Sequence, residues 1–304
     1  MNDLVTDVKS LELETLKNLK SSKASNTLRA YKADYKDFAR FCIKHSFKSM
    51  PTDPKVVSLY LTHLSQTSKF STLKRRLASI SVVHKLSGHY IDTKHPMITE
   101  NLMGIKRVKG SYQKAKKPIL LNDLKSIVNI INKDKNEKRR SKNRALILIG
   151  FAGGFRRSEL VAIYYEDLDF VTEGVRIFVK KSKTDQSGEG MTKGIPYFSN
   201  PEYCPVISLK NWLKKSEIKS GKIFDMSDKS VALTVKKYTA IVGLDSNKYS
   251  GHSLRSGFAT SAAELGAEER SIMAMTGHKT TQMVRRYIQE ANLFKNNALY
   301  KIKI

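Results

Sequence analysis

The chain has 304 residues, 40% of them hydrophobic, and carries 55 Lys and Arg against 28 Asp and Glu, a formal net charge of +27. That length exceeds what one hydrophobic core usually organises, so two domains are expected. The basic excess falls on both halves, 23 basic against 9 acidic side chains in residues 1–118 and 32 against 19 in residues 119–304. This excludes a basic tail on a neutral body and points to two folded bodies that both face a polyanion such as duplex DNA. Cys42 and Cys204, the only cysteines, are too few for a disulfide scaffold or a Cys-based metal site. No segment approaches 18 uninterrupted apolar residues and the first residues lack a signal-peptide pattern, so a cytoplasmic protein without a membrane partner is expected.

In chain order, residues 1–24 are polar with a Leu rhythm and form a separate N-terminal segment, at most a short helix. From Ser25 the spacing of Leu28, Tyr31, Tyr35, Phe38 and Cys42 predicts an amphipathic helix. Asp53-Pro54 reads as an N-cap and first-turn proline, opening a helix with Val56, Val57, Tyr60, Leu61 and Leu64 inward. A third helix carries Leu73, Leu77, Ile80 and His84 and stops near Gly88; a short fourth is expected around Ile98–Gly104. Residues 25–104 thus form a small helical domain. Its third helix carries Lys74, Arg75 and Arg76, a solvated face or a contact to DNA. Residues 105–118 hold six basic and no acidic side chains, Lys106, Arg107 and Lys109 among them, and read as a linker able to lie along a phosphate backbone.

The second domain, residues 119–290, opens on Asn122 as the expected N-cap, with Leu124, Ile127, Val128 and Ile131 on one face. After a Lys/Arg-rich stretch, residues 145–152 are nearly all apolar and predict a buried helix that Gly153-Gly154 ends. Val175–Val179 and Ile195–Phe198 read as a hairpin. Helices are expected again around Val206–Lys215, Val231–Val242, Leu254–Leu265, Ala267–Met275 and Thr281–Ala291. The fold class is therefore mainly α with a small antiparallel β-sheet (α+β). The last residues, 291–304, contain Leu293, Phe294, Leu299 and Tyr300 and are more apolar than a free terminus requires.

Four motifs carry chemistry: Gly154-Phe155-Arg156-Arg157-Ser158-Glu159-Leu160, then Ser182-Lys183-Thr184, then His252-Ser253-Leu254-Arg255, and Gly277-His278 with Tyr287 nine residues on. None is decisive alone. With seven His and fifteen Arg, a chance His-x-x-Arg is expected in about one such chain in three. Their order and spacing are what is specific, and in that order they resemble the tyrosine recombinases, the phage-integrase and Xer-type family.

The resemblance implies a two-domain DNA clamp, with a helical, SAM-like core-binding domain, a basic tether and a C-terminal catalytic domain. It implies site-specific DNA recombination and integration, as in mobile elements, through a 3′-phosphotyrosyl intermediate, with no cofactor and no metal. Arg156 and Arg255 take the role of phosphate-binding cations, which suits a guanidinium because it donates in pairs and stays charged. Arg157 is the rival for the first slot, and the Arg-x-x-Glu-Leu spacing selects Arg156. Glu159 becomes an orienting partner. His252 accepts or relays the tyrosine proton, since a phenol with an ordinary pKa of about 10 needs help near neutral pH. Lys183 is the implied general acid, with Lys180, Lys181 and Lys193 as neighbouring alternatives. His278 bonds the phosphate, and Tyr287 is the nucleophile. The implied partners are double-stranded DNA and three further copies of the chain, a homotetramer on two DNA sites linked by the C-terminal tail; the tail could instead pack on its own domain. Bound to DNA, the protein would be nucleoid-associated. Two alternatives share the scaffold, a type IB topoisomerase-like enzyme and a non-catalytic DNA-binding protein.

Overall fold

The structure, a computed structural model, describes residues 8–21, 24–111, 115–180, 189–291, 299 and 302. It divides into two units, residues 1–113 and 114–304.

The first unit contains α1 (Val8–Ser21), α2 (Ser25–Lys44), α3 (Pro54–Ser65), α4 (Phe70–Leu86) and α5 (Pro96–Lys109). Asp53 caps α3 by accepting from the amides of Lys55 (2.8 Å) and Val56 (3.2 Å), while Pro54 sits where no amide donor is needed. Phe38, Cys42, Val57, Tyr60, Leu61, Leu73, Ile80 and Ile98 form the core. His84, fully buried on α4, spends its Nδ1 on the Ile80 carbonyl at 2.8 Å.

The expected linker begins too early. Residues 105–109 are the last turn of α5, which passes through Gly104 because Ile105 still packs on the core; the helix ends at Gly110. Lys106, Arg107 and Lys109 therefore stand exposed on that turn, where cations oppose the helix dipole, rather than on an extended tether.

The second unit contains α6 (Leu121–Asn132), α7 (Glu137–Ala152), α8 (Arg157–Leu160), β1 (Leu168–Val171), β2 (Gly174–Val179), β3 (Met191–Pro196), α9 (Pro205–Ser216), α10 (Asp228–Ile241), α11 (His252–Glu264), α12 (Glu269–Thr276) and α13 (Thr281–Ala291). Leu120, not Asn122, occupies the N-cap of α6. The start is set by the preceding backbone, whose Lys117 and Ile119 amides donate to the carbonyls of Lys248 (2.8 Å) and Ser253 (3.0 Å). The strands form an antiparallel sheet in the order β1-β2-β3, with Leu168 opposite Ile177 and Lys193 also opposite Ile177. β1 adds a strand to the expected hairpin, and β3 begins at Met191, earlier than expected.

α7 is buried along its whole second half, from Ala145 to Ala152, and separates two apolar clusters. One joins it to the sheet and α9; the other joins it to α6, α10 and the start of α11. The contact that seats α11 is made at Gly257, where a Cβ would lie 2.0 Å from the Ile119 carbonyl oxygen. Gly257→Ala must push α11 off this backbone. We expect it to destabilise the protein by about 1–3 kcal/mol, read from urea melts, as overpacking of a closed contact does. Unchanged stability would mean that α11 is not held against residue 119.

Candidate active site

The buried helix α7 ends at Ala152, and Gly153-Gly154-Phe155 turns the chain into the short α8. Gly154 has φ +53°, and a Cβ there would meet Phe258 and Thr276 side chains at 3.2 Å, so the turn is both left-handed and closely covered. Arg156 follows as the N-cap of α8. Glu159, three residues on, returns its carboxylate to Arg156 twice: Oε2 accepts from the Arg156 amide (2.9 Å) and Oε1 from Nη1 (2.6 Å). The Glu159 side chain is 2% exposed and that of Arg156 19%. Burial alone would raise the pKa of Glu159. The amide and guanidinium of Arg156 outweigh it and hold the carboxyl below its ordinary value.

α11 contributes Arg255 from its first turns. The side chain is 1% exposed, and Nη1 donates to the Gly154 carbonyl at 2.9 Å. Its Nη2 is buried and has no hydrogen-bond partner among the described residues. Burial first, and the neighbouring Arg156 charge second, bring this guanidinium down to about 10, with Glu159 opposing. His252 opens the same helix with an exposed ring. Partial desolvation lowers its pKa, and the Arg255, Arg156 and Arg157 guanidiniums lower it further. His278 follows the end of α12. Thr276 Oγ1 lies 2.6 Å from the Ile272 carbonyl, to which it can only donate, and 2.7 Å from His278 Nδ1. The hydroxyl therefore accepts from Nδ1–H, which leaves Nε2 of His278 as the unprotonated nitrogen. Burial, reinforced by Arg255, Arg156, His252 and Lys193, pushes His278 down to about 4, so its ring is neutral at physiological pH.

α13 supplies Tyr287, whose ring centroid is 6.0 Å from that of His278. Arg156, His252, Arg255, His278 and Tyr287 line one open cleft of about 580 Å³, together with Gln282, Met283 and Arg286. The structure thus brings five of the six expected catalytic residues to one place; Lys183 lies outside the described residues. Arg157 is not among the lining residues. Its stem lies against Gly251 and its Nη2 is 3.6 Å from Asp228. In the first unit Lys74 and Arg75 are exposed, but Arg75 also pairs with the buried Asp34. Arg76 is bound to Asp34 (3.3 Å) and Asp37 (3.2 Å), so the charge of that face is partly spent on its own helix pair.

The phage integrase family model matches residues 119–293. A protein of Selenomonas ruminantium described as an integrase/recombinase xerD homolog is 42% identical over 96% of this chain and 89% of its own length. The chain belongs to the phage integrase family. In structure it is similar to the XerH site-specific recombinase bound to its difH substrate before cleavage (TM-score 0.62, 18% identity, covering 89% of this chain and 79% of that one). It is also similar to a lambda integrase dimer bound to a COC′ core site (TM-score 0.57, 19% identity, covering 92% and 94%).

The motifs of this phage integrase family member do not point to Thr276, Gln282 or Arg286, and they offer Lys193 only as an alternative to Lys183, without its burial. Gln282 and Arg286 are four residues apart on α13 and so share a face, but neither stands three or four residues from Tyr287, and no motif names them. Thr276 has no sequence signal beyond lying two residues before His278. Lys193 does have one, an alternation with Met191 and Ile195 that assigns it to the inward face of β3.

Because the carboxyl of Glu159 titrates lower in the folded chain than its ordinary 4.5, it stabilises the fold above that pH, and the contribution is lost as pH falls through the folded value. Glu159→Gln removes this titration. We expect the variant to lose less stability than the wild type between pH 5 and pH 3 in chemical melts; parallel pH profiles would show that Glu159 is not held ionised by Arg156.

Proposed function

We propose that this cleft cuts and rejoins one strand of duplex DNA, with Tyr287 as the nucleophile and Arg156 and Arg255 as the cations on the scissile phosphate. The protein is a site-specific tyrosine recombinase, an enzyme that breaks and rejoins DNA. The observation that supports the residue roles best is the convergence of two guanidiniums, two imidazoles with lowered pKa and one phenol in a single cleft.

Attack by the Tyr287 oxygen on phosphorus places negative charge on the non-bridging oxygens, and the fixed Arg156 and Arg255 donors stabilise it as it forms. His252, with its pKa lowered, offers a lone pair to the departing phenol proton. His278, neutral and oriented by Thr276, keeps Nε2 unprotonated, with its ring centroid 6.0 Å from that of Tyr287. The 5′ oxygen leaves with a proton, in this reading from Lys183, and the strand is held as a 3′-phosphotyrosyl ester. Reversal by the 5′ hydroxyl of a partner strand returns the proton and rejoins the backbone, so the ester conserves the bond and no ATP is required.

Duplex DNA is the substrate in this reading, and both basic units contribute to holding it. Lys74, Lys106, Arg107 and Lys109 are exposed and available to phosphates, with Arg75 and Arg76 in part committed to Asp34. Recombination of two sites requires four nucleophiles, so we take the working form to be a homotetramer on two duplexes. Of the C-terminal tail that would join protomers, only Ala291, which ends α13, Leu299 and Ile302 are among the described residues. No helix among the described residues is long and apolar enough to cross a membrane.

A nicked suicide substrate, which traps the covalent complex, tests the assignment. Arg156→Ala and Arg255→Ala should each slow adduct formation by on the order of 100- to 1000-fold while leaving DNA binding largely intact. Arg157→Ala should be much milder, and Tyr287→Phe should give no adduct. An inactive Arg157→Ala beside an active Arg156→Ala would shift the motif by one residue, and an adduct in Tyr287→Phe would remove the nucleophile assignment.

A further inference from the structure

Lysine is among the residues least often fully buried, because its ammonium is costly to dehydrate. Lys193 is 1% exposed. It stands at an inward-facing position of β3, in register with Ile177 and two residues before Ile195, where the sheet otherwise presents aliphatic side chains to the core. Its Nζ donates to the Gly153 carbonyl at 2.8 Å and lies 4.4 Å from the centre of the Phe155 ring. The next carbonyl in the chain, Gly154, receives Arg255 Nη1 at 2.9 Å. Two successive carbonyls of one turn are thus gripped by two buried cations, one from the sheet and one from α11. The residue after Phe155 is Arg156.

We infer that Lys193 is a positioning residue for strand cleavage: through the Gly153 carbonyl it fixes the turn that presents Arg156 and anchors Arg255. This rests on the roles proposed above for those two arginines. Lys193 does not line the cleft, so it acts through the turn and not on the phosphate. Mobility of this turn would displace one donor and loosen the anchor of the other, and a misplacement of about 1 Å can cost about 100-fold in rate.

The titratable groups around Lys193 are Arg156 and Glu159 from the turn and α8, Arg255 from α11, and His278, neutral above about pH 4, after α12. Burial, opposed by Glu159 and reinforced by Arg255 and Arg156, brings the ammonium down to about 7. It is therefore protonated below that pH and loses the charge that strengthens its grip on Gly153 above it. A bound phosphate raises the value, so the free-enzyme pKa is read from the second-order cleavage rate at limiting protein.

The experiment compares wild type, Lys193→Met and Lys193→Arg on the nicked suicide substrate from pH 6 to pH 9, alongside half-site DNA affinity. Wild type must form the adduct, which tests the cleavage reading separately. Lys193→Met, which exchanges a buried charge for an apolar chain of similar length, should cleave about 10- to 100-fold more slowly with DNA affinity unchanged. Replacing the bridging 5′ oxygen by sulfur, which leaves without a proton, should not rescue it. Lys193→Arg keeps a cation and a donor for Gly153. It should retain most of the rate and lose the wild-type decline above neutral pH, a change that a purely structural side chain would not produce. Wild-type speed in Lys193→Met, rescue by sulfur, or a wild-type pH profile in Lys193→Arg would each overturn the proposal. Should Lys193→Met not fold, the Lys193→Arg profile decides it alone.

Discussion

The site depends on holding like charges together before any phosphate arrives. Arg156, Arg255 and Lys193 crowd around one turn, and Glu159 is the carboxylate that answers them. At an effective dielectric near 20, two unit charges 4 Å apart repel by about 4 kcal/mol, so such a cluster must be tied down. The ties here are backbone carbonyls. Gly153 holds Lys193 and Gly154 holds Arg255, while the amide of Arg156 is bound to Glu159. A Gly-Gly turn can offer two carbonyls in succession because Gly154 takes a left-handed conformation beneath Phe258 and Thr276. The buried α7 fixes where that turn begins, and the close approach of Gly257 to residue 119 fixes the helix that carries His252 and Arg255.

The same field sets the protonation of everything else in the cleft. Both imidazoles are pushed toward neutrality, His278 to about 4 and His252 in the same direction, with the guanidiniums contributing to each. A neutral imidazole can accept a proton, whereas an imidazolium cannot, so the charges that bind phosphate also keep a base available for a phenol. The unpartnered Nη2 of Arg255 fits this arrangement, since a buried donor without a partner is costly until an anion supplies one.

Much of this was legible in the residues. Helices α2, α3 and α4 follow from the spacing of Phe38, Cys42, Val57, Leu61, Leu73 and Ile80, because burial on one helical face leaves a period near four. The cleft was legible because Arg156, His252, Arg255, His278 and Tyr287 sit at fixed offsets in ordered motifs. What escaped was set by packing between distant segments. Leu168–Val171 is only half-buried and lacks clean alternation, so β1 gave no strand signal. Gly104 suggested a helix end, yet Ile105 keeps α5 on the core. Lys193 enters the sequence reading only as an alternative to Lys183 as general acid; its burial follows from the alternation through Met191 and Ile195, which that reading does not use. Thr276 matters only through its bond to His278, which no spacing rule anticipates.

The central claim is that a cluster of chain-supplied cations lets Tyr287 attack a phosphodiester. Peptide mapping by mass spectrometry of the complex trapped on a nicked substrate, formed in excess EDTA and digested with trypsin and nuclease, tests it most directly. The account predicts a nucleotide remnant on the peptide containing Tyr287, joined through its 3′ phosphate, in undiminished yield with the chelator present. A remnant on any other residue, or loss of the adduct on chelation, would contradict it.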